Sequence, residues 1–210
     1  MDRQKIEEVL QHMKEEHDID VQLIEEQYKS GYFAKNTYNP KNPSEPTVTY
    51  TDVATTEDVI HELCHCILAN EGYPRVQTFN QNEALILSHL ESVIEHGRVV
   101  KLGESFGVNL KVDSRQMSKL ENRLVTDKRF LSDEVEAIFF ADMTIRCSNS
   151  EWWEKMQKFY EENLPKVFKL GKKILKEVAN FEGCNNAENA KTCHRMLIQM
   201  LKVKSCQYIN

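Results

Sequence analysis

The sequence has no run of about eighteen apolar residues, so no helix that crosses a bilayer is expected. It has no stretch dense enough in lysine and arginine to serve as a phosphate-binding face. The formal net charge is -6, and the most basic run, KVFKLGKKILK at 166–176, reads as the wet side of an amphipathic helix. Nucleic acid and membrane are therefore not expected as partners. The glycines form no phosphate-cradling pattern, which removes support for nucleotide binding. The six cysteines, Cys64, Cys66, Cys147, Cys184, Cys193 and Cys206, lack the spacing of a disulfide framework. Cys184, Cys193, His194 and Cys206 also lack the close pairs of a structural zinc site. The opening segment MDRQKIEEVLQHMKEEHD has no apolar core of the kind that export needs. Free thiols without an export signal predict a reducing, cytoplasmic location. No internal repeat, low-complexity tract or linker interrupts the chain.

With 210 residues, the chain can bury a core without metal staples, so a metal in it need not be structural. A polar helix is expected from Asp2 to His17, with Ile6, Val9, Leu10 and Met13 as one narrow stripe. Three short strands follow at Val21–Glu25, Ser30–Tyr38 and Thr47–Thr51. Asparagine- and proline-rich punctuation at 39–46 separates the last two. They predict a small, mostly antiparallel sheet. Thr55 and Asp58 then resemble a capping box, opening a helix over 56–71 that Gly72 and Pro74 stop. A long helix is expected over Gln81–Leu102. Helices also fit Asp113–Leu124, Ser132–Cys147, Ser150–Glu162, Pro165–Phe181 and Ala187–Lys204. The fold class is α+β, mainly α, in one domain over 1–210. Residues 1–110 form its core part, and a helical part at 111–210 is expected to pack on it.

The helix over 56–71 carries His61-Glu62-Leu63-Cys64-His65. Histidines four apart share one helix face, one turn apart. Two nitrogens so placed can take adjacent corners of a zinc tetrahedron. Glu62 borders the same face, where it can take the proton of a water held on the zinc and later pass it to a leaving amine. By chance, His-Glu-x-x-His occurs in roughly two per cent of sequences of this length and composition. The apolar neighbours Val59, Ile60, Leu63, Ile67 and Leu68 and the cap make a chance match less credible. The plainer alternative is a pair of histidines on a partly buried helix without metal.

HELCH after a short sheet resembles the zincin superfamily of HExxH metallopeptidases. The size and early placement are similar to the small intracellular ImmA/IrrE-type domains. The likeness covers roughly residues 1 to 110 and is carried by His61, Glu62, Leu63 and His65. It implies a minimal zincin-like core of sheet plus active helix, a zinc ion, and a peptide or protein substrate. It also implies an edge strand lining the cleft, for which Thr47-Val48-Thr49-Tyr50 is the candidate. Cys64 stands where the common HELGH form has glycine. A small buried residue is the plainest reading of it, with redox sensitivity as a minor alternative.

A catalytic zinc takes three protein ligands and leaves a position open. The residues after His65, CILANEGYP, do not supply the extended metzincin histidine. Glu83 sits in an Asn-Glu-Ala resembling that of the thermolysin-type enzymes; its plainer role is in the first turn of the helix. His96 borders the inward stripe near Val93 and Val100 and is the preferred third ligand, with Glu91 and Glu95 as alternatives. The stretch Leu90–His96 also resembles small bacterial HExxH proteins. Tyr50, Tyr73 and His89 are candidate oxyanion donors. The expected function is zinc-dependent peptide hydrolysis with Glu62 as the catalytic base. The alternative is a regulatory or interaction module that binds metal without cleaving anything itself.

Overall fold

The computed structural model describes residues 1–28, 32–37, 45–128, 130–147 and 150–208, with the side chain of residue 82 excepted. The chain divides into two compact units. One comprises residues 1–75 and 98–110; the other comprises 76–97 and 111–208.

In the first unit, helix α1 spans Arg3–His17. Its N-cap Asp2 accepts from Lys5 N, and it buries Ile6, Val9 and Met13. Strands β1 (Gln22–Glu26), β2 (Ala34–Thr37) and β3 (Thr47–Thr51) form a sheet in the order β1-β3-β2. β3 runs parallel to β1 and antiparallel to β2. The sheet is therefore mixed rather than mostly antiparallel. The cause is connectivity: β3 inserts between two strands that already run in opposite directions, so it must be parallel to one of them. The same order corrects the expected edge strand. β3 is hydrogen-bonded on both sides and cannot accept an added strand, whereas β2 has only β3 beside it among the described residues. The expected turn at 39–44 and the flanks of the second strand lie outside the described residues.

Helix α2 (Thr56–Asn70) packs on β2, β3 and α1. Its capping box is formed: Asp58 N donates to Thr55 Oγ1 at 3.2 Å, and Thr55 N donates to Asp58 Oδ2 at 2.9 Å. At the other end Gly72 has φ 85°, a left-handed conformation suited to glycine. Tyr73 N donates to Leu68 O at 3.0 Å and Gly72 N to Ala69 O at 3.1 Å, the paired bonds of a Schellman stop. Val59, Ile60, Leu63, Ile67 and Leu68 are fully buried.

Helix α3 (Gln81–Ser105) is divided between the units, its first part through Gly97 counting with the second. The second unit also holds α4 (Ser114–Glu121), a π-helical turn at Asn122–Thr126, α5 (Asp133–Arg146), α6 (Glu151–Asn163), α7 (Pro165–Asn180) and α8 (Ala187–Met200). A short antiparallel pair, β4 (Val76–Gln77) and β5 (Gln207–Tyr208), was not foreseen. α5 and α7 pack closely because Gly171 has no side chain: a Cβ there would lie 2.4 Å from Phe140 Cδ1. Phe140, Trp153, Tyr160 and Phe168 form the aromatic centre of this unit. The architecture is thus α+β and mainly α. No helix among the described residues is long and apolar enough to cross a membrane.

Candidate metal centre

The capped start and left-handed stop of α2 fix the phase of His61, Glu62 and His65. His61 and Glu62 are half-buried, and His65 is 7% exposed. The Nε2 atoms of His61 and His65 lie 3.1 Å apart. Zinc–nitrogen bonds of about 2.0–2.1 Å arranged tetrahedrally set two nitrogens about 3.3 Å apart. The pair is therefore spaced for one ion.

His96, on α3, is 5% exposed. One ligand atom from each of His61, His65 and His96 falls within 4.8 Å of the others. Among the described residues this is the one group of three or more His, Cys, Asp or Glu side chains close enough to hold a metal ion. The Cys184, Cys193, His194 and Cys206 set forms no such group.

His96 Nδ1 is hydrogen-bonded to Asp142 Oδ1 of α5. A carboxylate on one ring nitrogen fixes the tautomer and leaves Nε2 with its lone pair for a metal. Burial acts most strongly on Asp142, pushing its carboxyl upward. The opposing pull of His96, the hydrogen bond to it, Arg146 and His89 wins, and the group sits below the usual carboxylate range. Asp142 therefore carries the charge that an imidazole ligand needs behind it.

Glu62 is held from β2. Its Oε2 accepts from Asn36 N at 3.0 Å and from Asn36 Nδ2 at 2.6 Å. The outer edge of β2 thus sets the orientation of the carboxylate that follows the first histidine. Arg75 secures the helix from behind, its Nη2 donating to His65 O at 3.1 Å.

No family model, curated protein or solved structure matches the chain. The site is therefore read from its own residues.

Of the other expected ligands, Glu91 and Glu83 are hydrogen-bonded elsewhere. Glu91 Oε1 accepts from Val76 N at 2.7 Å, fixing the start of β4. Glu95 is 1% exposed, on the buried side of α3 rather than at a wet edge. Glu83 accepts from Lys204 N at 3.0 Å, Ser205 N at 3.1 Å and Ser205 Oγ at 2.7 Å, so its carboxylate caps the chain after α8. Of the oxyanion candidates, Tyr50 donates to Glu25 Oε2 at 3.3 Å, Tyr73 is fully buried, and His89 packs edge-on against Phe139. Cys64 is also fully buried, and burial, with Cys66 and Glu62 adding to it, pushes its thiol well up. That environment suits an inert packing residue rather than a redox-sensitive one.

Asn36 and Asp142 were missed at the level of sequence. Each lies far along the chain from the residue it serves, 26 positions from Glu62 and 46 from His96. No local pattern marks either one.

Proposed function

We propose that this chain is a zinc-dependent peptidase, with His61, His65 and His96 as ligands and Glu62 as general base. The observation that carries this reading is the three-imidazole group with a carboxylate following its first histidine and held by Asn36. The donor set suits zinc: three imidazoles leave a fourth position for chemistry. Zinc, when bound, would supply a Lewis acid that polarises a carbonyl and acidifies water. Glu62 takes the proton of the attacking water and delivers it to the nitrogen of the departing amine. Asn36 keeps the carboxylate turned for both transfers. Asp142 holds His96 in one tautomer and stabilises the ring's share of positive charge. An extended substrate would add along the outer edge of β2, whose inner edge is taken by β3.

The test is incubation of purified zinc-loaded protein with a fluorogenic peptide library, with and without chelator, beside Glu62→Gln. Chelator-sensitive cleavage that Glu62→Gln loses is the expected result. Full turnover by Glu62→Gln would refute the role of this carboxylate. Zinc binding without cleavage of any peptide would favour a metal-binding interaction module instead.

A further inference from the structure

Helix α7 runs against the charge of the chain. It carries five lysines and a single glutamate, Glu177, in a protein whose formal net charge is -6. Its Val167, Gly171, Ile174 and Val178 are buried, and all five lysines are exposed. At 3.6 residues per turn, Lys166, Lys169, Lys173 and Lys176 fall within an arc of roughly 80° and rise about 15 Å along the axis. Lys172 stands beside this row. Its Nζ donates to Gln157 Oε1 at 3.4 Å and lies 5.3 Å from the centre of the Phe168 ring.

None of the four lysines in the row forms an ion pair among the described residues. On α6, by contrast, Lys155 pairs with Glu151 at 3.1 Å. Lysines three and four positions apart on a helix repel one another. The row therefore weakens α7 where it stands alone, and carboxylates laid along it would remove that penalty.

Charge alone suits several anions, and the surroundings select among them. Exposed Glu161 and Glu162 lie near the end of α6, just before the row, and Glu177 and exposed Glu182 follow it. A nucleic-acid duplex or an anionic bilayer extends past both ends and meets these carboxylates. The apolar face of α7 is buried, so it has nothing to insert into a bilayer. The helix also has no arginine, the side chain that grips phosphate with two parallel hydrogen bonds. A short run of side-chain carboxylates fits the row and ends where the row ends.

We propose that the exposed face of α7 is a docking surface for a short acidic segment of another protein, its carboxylates set against Lys166, Lys169, Lys173 and Lys176. Five extended residues span about 17 Å, close to the length of the row. The inference rests on no part of the metal reading.

Amide NMR of the isotope-labelled full chain, titrated with pentaglutamate capped at both ends, tests it. At about 20 mM salt, where screening is weak over the length of the row, saturable shifts on α7 are expected. Exposed ion pairs are individually weak, so a Kd of about 1 mM or tighter is expected, weakening at least about threefold at 150 mM salt. Capped pentaglutamine should not bind. Lys169→Glu/Lys173→Glu should weaken binding about tenfold or more, and Lys166→Gln/Lys176→Gln about threefold. All four side chains are exposed, and the second variant keeps the test valid should the first not fold. A short DNA duplex and phosphatidylserine vesicles should bind more weakly than the peptide. Absence of saturable shifts on α7, unchanged affinity in the folded variants, or tighter binding of the duplex or the vesicles would overturn the proposal.

Discussion

At the residue scale, Glu62 and Asp142 are both half of a pair, and their partners define different duties. Asn36 holds the carboxylate proposed as the base, while Asp142 is hydrogen-bonded to the third proposed ligand, His96. Glu62→Gln keeps the size and one acceptor but cannot take a proton. Zinc content should be unchanged, and kcat should fall by about two to four orders of magnitude. Parallel metal analysis and peptide turnover check this. Asp142→Asn leaves His96 in place but removes the charge behind it. Zinc affinity should drop about 10- to 100-fold, measured by competition with a coloured chelator. Asn36→Ala removes the side-chain donor and spares the backbone one. It should lower kcat several-fold, with KM and metal content nearly constant, as expected of a positioning residue. That His61, Glu62 and His65 share one helix face was legible because helical spacing alone places them. The partners of Glu62 and His96 were not, because nothing in a linear pattern says which distant asparagine or aspartate folds back to them.

At the element scale, α2 was readable nearly to the residue, since a capping box and a glycine stop are local chemistry. Gly72→Ala places a Cβ in a left-handed conformation, and it should cost about 1 to 2 kcal/mol in chemical denaturation. The α5–α7 contact is less forgiving. Gly171→Ala sets a methyl against Phe140 Cδ1 and near Ala137 O, so it should destabilise by about 1 to 3 kcal/mol through overpacking. The sheet was readable in its strands and misread in its order. Alternation of side chains marks a strand but says nothing of which neighbour it takes, so the strand expected at the edge, Thr47–Tyr50, is the central one. The true order bears on the proposed function, because it gives β2 an outer edge and brings Asn36 to Glu62. β4 and β5, two residues each, are too short to leave a periodic signal. Glu83 shows the opposite case: a local motif suggested a ligand, while its carboxylate is bound by backbone and hydroxyl donors at 204 and 205.

At the scale of the whole molecule, the mainly helical α+β class followed from periodicity, since long segments with one apolar face leave little choice. The proposed metal binding would tie the site to stability. An ion that binds only the folded chain should stabilise it by about 2.7 kcal/mol at a free concentration a hundredfold above Kd, and chelator should remove that gain. The most direct measurement is zinc stoichiometry after equilibrium dialysis, comparing the parent chain with Glu62→Gln and His96→Ala. One zinc per chain in the first two and its loss from the third is the expected result. A parent chain that holds no zinc, or a His96→Ala variant that holds it as tightly, would contradict the account.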